Sequence, residues 1–440
     1  MGGSEATMPH NIYMVGIGGI GMSALAQLLV SDGKRVAGSD RSESPTTELL
    51  AKKGIEVCIG HDSCVIPPDT ELLIYSDAVW PDNPERMRAA DMKIPQISYF
   101  EVLGRVSKGM RTIAVSGTHG KTTTTGMLAK ILLDLGESPT AIVGSIVRDF
   151  PGPSGGSNFL KGESDIFVVE ACEYRDHLLE LSPEILVITN IELDHTDFFP
   201  SLAALQDTFR SAVEKVPKTG TIIANPNDPH VAAVLGHTRA HVIDYTQKAI
   251  GSLQLVGEFN RENARAALAA ALSAVPGLSA EAAVHSLSQF KGSWRRFEFK
   301  GETKGGALVY DDYAHHPTAV EKTIKAAREK FPEKKIIVAF HPHLYSRTRD
   351  LMEGFAKALS NADEVLIAPI FPAREKPIPG ITSEVLAEKV SKFGTPVHAF
   401  GSLHEIYSHL TNDSGLKTQD LLITMGAGDI YKVAEQLTLE

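Results

Sequence analysis

The chain has 440 residues, with 43 lysines and arginines against 54 aspartates and glutamates, a formal net charge of −11. At roughly 150 residues per domain, this length predicts about three domains and excludes a single small module. With 43% hydrophobic and 22% charged residues, the composition excludes a largely disordered or fibrous protein, and the acidic balance disfavours sequence-independent nucleic-acid binding.

The sequence carries no signal for export or membrane insertion. Its apolar runs fall short of the roughly 18 uninterrupted residues that a membrane helix needs, and residues 1–10 lack the basic and apolar regions of a secretory signal. The three cysteines, Cys58, Cys64 and Cys172, are too few for a disulfide framework and lack metal-ligand spacing. We therefore expect a cytoplasmic protein in a reducing compartment.

Short apolar segments alternate with amphipathic helical segments along the chain, which predicts α/β domains built on mostly parallel sheets. The first of these segments predict a Rossmann-like N-terminal domain. Its predicted elements are a strand at 11–17, a helix at 22–30, and strands at 35–39 and 71–76.

Two polar segments divide the rest of the chain. The first, at 105–108, precedes a new predicted strand, and the second, at 300–306, is rich in glycine and alternating charge and is predicted to be a linker. The predicted strands between them lie at 112–115, 165–169, 184–188 and 221–224, followed by an alanine-rich helix at 261–273. Those after the linker lie at 307–310, 335–340, 364–368 and 421–424. The domains are therefore expected at residues 1–108, 109–302 and 303–440, the last being a second Rossmann-like α/β domain.

A first glycine-rich turn, with Gly16, Gly18, Gly19 and Gly21, lies between a predicted strand and a predicted helix. The spacing of 16, 18 and 21 is that of the dinucleotide fingerprint, in which the backbone approaches a diphosphate at a helix N-terminus. Asp40, at the end of the second strand, stands where an acidic residue would bind a ribose hydroxyl. Taken alone, this turn favours a nicotinamide-dependent dehydrogenase, or glycines that only let a strand pack on a helix.

A second glycine-rich turn follows the predicted strand at 112–115 and opens the central domain. Its ending in Lys-Thr is typical of a P-loop, in which backbone amides surround the phosphates, the lysine neutralises them and the hydroxyl binds Mg²⁺. Val115 stands where the usual pattern has glycine, so the motif is a shortened variant. The predicted ATP-binding residues here are Gly117, Thr118, His119, Gly120, Lys121, Thr122 and Thr123.

Two phosphate-binding turns in successive domains favour a ligase or kinase acting on a nucleotide-linked substrate over a dehydrogenase. Carboxylates at two neighbouring strand ends strengthen this interpretation, because the carboxyl ends of parallel strands share one edge with the phosphate loop. Glu170, with Glu173 behind it, follows one strand, and Asp194 and His195 follow the next. Mg²⁺ prefers such hard oxygen ligands, and Glu170 is the best carboxylate candidate.

The residues now suffice to recognise a family: the sequence resembles the Mur ligases of bacterial peptidoglycan synthesis, over nearly its whole length. The resemblance depends on blocks that occur in the family's order, at 16–22, 117–124, 189–195, 260–267, 294–297, 311–317, 341–348, 373–380 and 424–430. It implies three domains, namely a Rossmann-like one for a UDP-sugar, a P-loop ATPase-like one for ATP, and a C-terminal one for the amino acid.

The resemblance also implies roles for single residues. The turn from Gly16 to Gly21, with Asp40, would hold the diphosphate of the UDP-sugar. Lys121 would hold ATP phosphates, and the metal ligands would be Thr122, Glu170 and His195. Asn260 and Asn263 would reach the adenine, Arg296 a phosphate and Asp312 the ATP ribose. His343 and Arg347 would bind the amino acid and stabilise the reacting carboxyl, with Lys121 and His195 as the other catalytic residues. Many relatives carry Gln in place of His341 and Arg in place of Leu344, so recognition of the amino-acid carboxylate would depend more on Arg347.

The activity implied is the ATP- and Mg²⁺-dependent joining of L-alanine to the lactyl carboxylate of UDP-N-acetylmuramate through an acyl phosphate. The nearest alternative is the recycling ligase that joins a tripeptide to the same sugar nucleotide, whose counterpart of residues 342–348 lacks the Pro-His-x-Tyr-Ser-Arg-Thr pattern. A dehydrogenase and a non-catalytic nucleotide-binding module remain as further alternatives, and the oligomeric state stays open.

Overall fold

The computed structural model describes residues 8–61, 64–152, 155–373, 375–412 and 415–439. Most of the N-terminal segment on which the absence of a secretory signal was predicted, residues 1–7, lies outside these ranges. Within the described residues, no helix has the length and apolar character needed to cross a membrane.

The first unit is a five-stranded sheet in the order β3-β2-β1-β4-β5, with every neighbouring pair parallel. Its strands are β1 (Asn11–Val15), β2 (Arg35–Asp40), β3 (Glu56–Ile59), β4 (Leu72–Tyr75) and β5 (Gln96–Ser98). Its helices are α1 (Ile20–Ser31), α2 (Pro45–Lys52), α3 (Pro84–Asp91) and α4 (Tyr99–Lys108). Parallel strands joined by helical crossovers are the Rossmann-like arrangement, so the predicted fold of this unit is confirmed.

The second unit is a seven-stranded sheet in the order β12-β11-β10-β6-β9-β7-β8, parallel except for the last pair. Its strands are β6 (Arg111–Ser116), β7 (Thr140–Val147), β8 (Ser157–Leu160), β9 (Ile166–Glu170), β10 (Ile185–Ile188), β11 (Thr221–Ala224) and β12 (His241–Asp244). Its helices are α5 (Lys121–Asp134), α6 (Leu202–Lys215), α7 (Pro229–Leu235), α8 (Glu258–Ala274) and α9 (Ala280–Ser288), with short 3₁₀ segments at Tyr174–Glu180 and Tyr245–Gln247. β6, β9 and β10 are adjacent, so the ends of these strands meet at one edge.

The third unit is a six-stranded sheet in the order β13-β14-β18-β15-β16-β17, in which only the β13–β14 pair of the described strands is antiparallel. Its strands are β13 (Glu298–Glu302), β14 (Leu308–Asp312), β15 (Lys335–Phe340), β16 (Glu364–Ile367), β17 (Val397–Ala399) and β18 (Asp420–Met425). Its helices are α10 (Pro317–Lys330), α11 (Tyr345–Asp350), α12 (Met352–Leu359), α13 (Ser383–Ser391), α14 (Leu403–Thr411) and α15 (Tyr431–Leu439).

The first two units share one continuous hydrophobic core. Leu25 of α1, Phe167 of β9 and Phe209 of α6 belong to the same cluster and are fully buried. A polar contact reinforces this interface, because the side-chain amide of Asn158 donates to the carbonyl of Ile20. The glycine-rich turn before α1 is therefore held directly beside the second sheet.

One expectation about the chain's connections differs from the structure. Part of the segment predicted to be a linker, 300–306, forms β13, which pairs with β14 in an antiparallel hairpin. The alternating charge that suggests a linker belongs to β13, an edge strand of the third sheet, which leaves one row of its backbone groups exposed to solvent. β13 thus belongs to the third sheet although it lies on the N-terminal side of the domain boundary predicted at residue 302. The division of the chain into domains at residues 108 and 302 stays a prediction.

The cysteine count predicts no disulfide framework, yet Cys58 and Cys64 form one disulfide, with their Cα atoms 5.9 Å apart. That separation lies within the range that a disulfide bridges. The loop after β3 brings the two residues together, and a count of cysteines carries no information about such a loop. Cys172 is free.

Replacing Phe209 with alanine should destabilise the protein by about 3–5 kcal/mol, because it removes a fully buried ring from the core shared by the first two units. The matched control is Phe393→Ala, since Phe393 is 54% exposed and its removal should cost less than about 0.5 kcal/mol. Urea denaturation of both variants measures the difference. Equal shifts would show that residue 209 does not belong to the cooperative core.

Candidate active site

A cavity of about 510 Å³ is lined by residues from all three units, including Ile20 from the first. Most of the predicted nucleotide, metal and amino-acid residues line it: Thr118, His119, Gly120, Lys121, Thr122, Thr123, Glu170, His195, Asn260, Asn263, Arg296, Asp312, His343 and Arg347. Gly117 and the predicted sugar-nucleotide residues do not: Gly16, Gly18 and Gly19 lie in the turn before α1, Gly21 lies in the first turn of α1, and Asp40 ends β2.

Asp40, which is predicted to act together with the first glycine turn, stabilises that turn by a hydrogen bond. One carboxylate oxygen of Asp40 accepts from the backbone N–H of Gly18 at 2.8 Å. A Cβ atom on Gly18 would lie 2.8 Å from that same oxygen, and one on Gly21 would lie 2.7 Å from the Tyr99 hydroxyl. Gly19 precedes the first residue of α1. Close packing favours glycine at positions 18 and 21, and since no side chain caps α1, the backbone N–H groups of its first turn stay open at the helix N-terminus.

The second glycine turn connects β6 to α5. Gly117 and Gly120 have φ values of 125° and 83°, in the region that favours glycine. A Cβ on Gly117 would lie 2.1 Å from the Thr189 hydroxyl oxygen, and one on Gly120 would lie 2.3 Å from the Asn263 side-chain oxygen. The loop therefore packs against the residues that follow β10 on one side and against α8 on the other. It takes this shape with Val115 at the position where the usual motif has glycine.

The lysine of this loop is held by a carboxylate. Nζ of Lys121 donates to the carbonyls of Gly117 (2.6 Å) and Thr118 (3.2 Å) and to both carboxylate oxygens of Glu173, at 2.9 and 3.1 Å. Burial by itself lowers the pKa of Lys121, but the neighbouring Glu173 outweighs it and the pKa is raised. The ammonium group therefore stays charged inside the cavity wall.

Two of the three predicted metal ligands lie in direct contact. The Thr122 hydroxyl donates to one oxygen of Glu170 at 3.0 Å, and the other oxygen accepts from the Gly144 N–H at 2.8 Å. Arg296 donates to the same Thr122 oxygen at 3.0 Å. The hydroxyl and the carboxylate present hard oxygens side by side, a donor set that fits Mg²⁺.

The third predicted ligand, His195, contacts Glu173 rather than Glu170, with Nε2 3.7 Å from the Glu173 oxygen. Burial lowers its pKa, so the ring is neutral at pH 7, the form that binds metals. His195 has a left-handed backbone, φ 53°, and its N–H donates to Asp194 at 2.7 Å.

Another group in the described part of the chain brings three ligand-type atoms within 4.8 Å of one another: His119, Glu192 and His316. Protein partners already engage these side chains. The Glu192 carboxylate contacts His119 Nε2 at 3.0 Å and accepts from the Thr318 hydroxyl at 2.5 Å. Burial raises the pKa of Glu192, but these contacts outweigh it and lower the pKa to about 2. The cluster therefore acts as a link between the second and third units.

The residues predicted for the nucleoside come from two units. Asn260 and Asn263, in the first two turns of α8, are both buried and line the cavity. Asp312 ends β14, and its two oxygens accept from the backbone N–H groups of Phe297 (2.8 Å) and Ala314 (2.7 Å). Burial raises the pKa of Asp312 to about 6.

The segment between the second and third units contains a buried arginine that the sequence patterns do not single out. Arg295 donates through Nε to Asp311 at 2.7 Å and through its terminal nitrogens to the carbonyls of Gly426 and Gly428. It is only 2% exposed. This anchor fixes the neighbouring Arg296, whose guanidinium reaches back to the phosphate loop.

The predicted amino-acid residues lie at the far end of the cavity. Arg347 is buried and donates twice to one oxygen of Asp194, at 3.0 and 2.8 Å, so an ion pair joins the third unit to the second. Its other terminal nitrogen lies 3.2 Å from His343 Nδ1. Burial raises the pKa of Asp194, but the charge of Arg347 outweighs it and holds the pKa well below its usual value.

Three of these carboxylates pair with buried cations: Glu173, Asp194 and Asp311. From the sequence, the first two are only candidate metal ligands, and Asp311 has no assigned role. The first two follow strands at the sheet edge, and that position was the available signal. Asp311 precedes the predicted Asp312, and nothing in its local sequence indicates that it faces Arg295. Each is recognisable only once the buried cation opposite it is known.

Comparison with known proteins agrees with this arrangement. Three family models match in succession: the Mur ligase family catalytic domain at residues 11–111, the Mur ligase middle domain at 115–251, and the Mur ligase glutamate ligase domain at 295–428. The chain is 37% identical to the UDP-N-acetylmuramate–L-alanine ligase of Clostridium kluyveri, over 96% of this chain and 97% of that protein.

Two further relatives extend the comparison. The chain is 37% identical to the protein of the same name from Caldicellulosiruptor saccharolyticus, over 97% of this chain and 98% of that one. The crystal structure of the UDP-N-acetylmuramate-alanine ligase MurC from Thermotoga maritima has a TM-score of 0.78 and 28% identity, covering 97% of this chain and 98% of that chain.

Gly144→Ala should weaken Mg²⁺-dependent ADP binding by about 10- to 100-fold, a range typical of outer-shell changes at metal sites. The added Cβ would lie 2.7 Å from Glu170 Oε2 and would push this carboxylate away from Thr122. Gly236→Ala is the control, because a Cβ there meets nothing within 4 Å. Calorimetric titration with ADP at several Mg²⁺ concentrations measures the effect, and wild-type Mg²⁺ dependence in G144A would contradict the placement of Glu170.

On the prediction that Asp312 binds the ribose, ADP binding should weaken by about tenfold as the pH falls from 7.5 to 5, because protonation of Asp312, with its pKa near 6, would remove the acceptor. The nucleotide phosphates titrate in the same range, so Asp312→Asn serves as the reference. Its affinity should be lower at pH 7.5 and should change less between the two values. Parallel curves for the two proteins would show that Asp312 does not bind the ribose.

Proposed function

The chain belongs to the Mur ligase family, and on that premise we propose that it joins L-alanine to the lactyl carboxylate of UDP-N-acetylmuramate in an ATP-dependent reaction. The observation that supports this proposal most directly is that one cavity is lined both by the phosphate loop around Lys121 and by the segment containing His343 and Arg347. Relatives named UDP-N-acetylmuramate–L-alanine ligase, similar over nearly the full length of both chains, support the same activity.

Amide formation from a carboxylate requires activation, because a carboxylate oxygen is a poor leaving group. In the proposed reaction, the lactyl carboxylate attacks the γ-phosphate of ATP and forms an acyl phosphate with release of ADP. The amine of L-alanine then attacks the acyl carbon, and the tetrahedral intermediate loses inorganic phosphate and a proton. The protein contributes mainly positioning and charge stabilisation to these steps.

Lys121 is proposed to neutralise charge on the transferring phosphoryl group. Its ammonium already lies in the phosphate loop, but it is bound to Glu173. Nucleotide binding must therefore compete with Glu173 for this cation. Arg296, which donates to Thr122 at 3.0 Å, is placed to add a second positive charge from the segment joining the last two units.

Mg²⁺ is proposed to be held by the Thr122 hydroxyl and the Glu170 carboxylate, with His195 as a further ligand. The contact between the first two, at 3.0 Å, supports this set. When bound, the ion would neutralise phosphate charge. Asn260 and Asn263 are proposed to contact the adenine, and Asp312 the ribose.

The amino acid is proposed to bind near His343 and Arg347. Since Arg347 is already paired with Asp194, its free hydrogen-bonding capacity toward an alanine carboxylate is reduced. The pair therefore serves to join the second and third units around the cavity as much as to bind substrate. We propose accordingly that residues 1–108 bind the sugar nucleotide through the Gly16 turn, 109–302 bind ATP, and 303–440 complete the amino-acid site.

The test is release of ADP and phosphate from ATP, Mg²⁺ and UDP-N-acetylmuramate on addition of L-alanine, L-serine, glycine or the tripeptide. L-Alanine-dependent release supports the proposal. Release with the tripeptide alone would favour the recycling ligase, NAD(H) binding with no release would favour a dehydrogenase, and ATP binding with no release would indicate a binding module.

Lys121→Ala should reduce alanine-dependent ADP release by at least about a hundredfold, since loss of one charge-stabilising contact costs on the order of 3–4 kcal/mol of barrier. Binding of the UDP-sugar, which lies on the first unit, should stay measurable by calorimetry. The control is Lys218→Ala, an exposed lysine outside the cavity. Near-normal turnover in K121A would contradict the assignment.

A further inference from the structure

The segment that leaves β9 contains two successive residues with strained backbone. Arg175 and Asp176 have φ values of 52° and 61°, in the left-handed region that residues with a side chain rarely adopt. Neighbouring contacts hold them there: the Thr208 hydroxyl donates to Asp176 at 2.5 Å, and His177 Nε2 lies 2.5 Å from Asp77 of the first unit. Strain of this kind persists only where the surroundings enforce it, and it concentrates at functional sites.

The strained turn places the Arg175 guanidinium against two aromatic rings. Its central carbon lies 5.6 Å from the centre of the Trp80 ring and 5.4 Å from that of Tyr174. The two rings belong to the first and the second unit, so the side chain spans the boundary between them. Arg175 and Trp80 are both exposed.

Within the described residues, no hydrogen bond or ion pair engages this guanidinium, although carboxylates lie nearby. Asp77 and Asp176 are held by the contacts given above, and Asp197 accepts from the Tyr174 hydroxyl at 2.8 Å. Attraction to the faces of the two rings holds the guanidinium through its charge and uses none of its N–H groups in hydrogen bonds. The in-plane N–H groups of Arg175 therefore stay available, in the planar fork that matches phosphate and carboxylate.

The ring of Trp80 connects this arginine to the neighbourhood of the first glycine turn. Trp80 directly follows a loop that packs on Gly16, where a Cβ would lie 3.1 Å from Ser76 and 3.3 Å from Val79. On its other side, Tyr174 lines the cavity. The two rings that Arg175 contacts thus lead toward the turn assigned to the sugar nucleotide on one side and, through Tyr174, to the cavity on the other, although Arg175 itself is not part of the cavity lining.

We propose that Arg175 binds an anionic group of the sugar nucleotide, with Trp80 and Tyr174 holding its guanidinium in place; this rests on the proposed function. The group is either the diphosphate, on the side of the Gly16 turn, or the lactyl carboxylate, on the side of the cavity. Both are recognised by the same fork of N–H donors. Arg175 would thereby tie the bound substrate to both the first and the second unit.

The experiment measures dissociation constants by calorimetry for UDP-N-acetylmuramate, UDP-N-acetylglucosamine and UDP with the full chain and its variants. Arg175→Ala should weaken binding of UDP-N-acetylmuramate about tenfold or more, as expected for loss of hydrogen bonds to a charged group. Arg175→Lys should lie between R175A and wild type, because it keeps the charge and loses the fork. Trp80→Ala should weaken binding less than R175A.

The three ligands identify the anionic group. Weakening with all three indicates the diphosphate, and weakening with UDP-N-acetylmuramate alone indicates the carboxylate, which UDP-N-acetylglucosamine and UDP lack. Affinity for ATP should change less than twofold in every variant and reports that each is folded. The matched control is Arg239→Ala, which removes an exposed arginine from the second unit away from the cavity.

Arg175→Gly separates a binding role from a structural one. Glycine adopts the left-handed conformation without strain, so R175G should have a melting temperature equal to or above that of wild type while it binds the sugar nucleotide as weakly as R175A. Wild-type affinity in R175A and R175G would overturn the inference and leave the proposed function intact. Failure of the wild-type protein to bind any of the three ligands would overturn both.

Discussion

Burial of three positive charges around one cavity is the constraint on which much of the structure depends. Lys121, Arg295 and Arg347 are each largely removed from water, and each lies against a buried carboxylate, at 2.9, 2.7 and 2.8 Å respectively. Removing an unpaired charge from water costs several kcal/mol, so a cation in this position requires a partner. The partners Glu173, Asp311 and Asp194 are therefore as much a part of the site as the cations.

The three pairs differ in what they hold together. Glu173 and Lys121 both belong to the second unit, and their contact shapes the phosphate loop before a nucleotide arrives. Arg295 and Asp311 fix the segment by which the chain enters the third unit. Asp194 and Arg347 cross from the second unit to the third. The positions of the cations thus depend on the relative placement of the sheets, and movement of the third unit would alter the last pair.

The negative net charge is compatible with two anionic substrates for the same reason. Glycine-rich turns offer backbone N–H groups at helix N-termini, and one buried cation, Lys121, lies within the second of these turns and its helix start. None of these features depends on the overall balance of −11. The surface charge and the charge inside the cavity are separate properties, because the low-polarity surroundings strengthen the interactions of the buried groups.

Local sequence determined the three α/β units, both glycine turns, and the strand ends that carry Glu170 and His195, because each follows from short-range periodicity and from the conformational freedom of glycine. Family resemblance added the nucleoside and amino-acid residues. Only the tertiary structure decided which carboxylate faces which cation, that His195 contacts Glu173 rather than Glu170, that β13 joins the third sheet, and that Arg175 lies between Trp80 and Tyr174. Each of these features includes a contact between different secondary-structure elements, and such pairing is set by how the strands, loops and sheets pack.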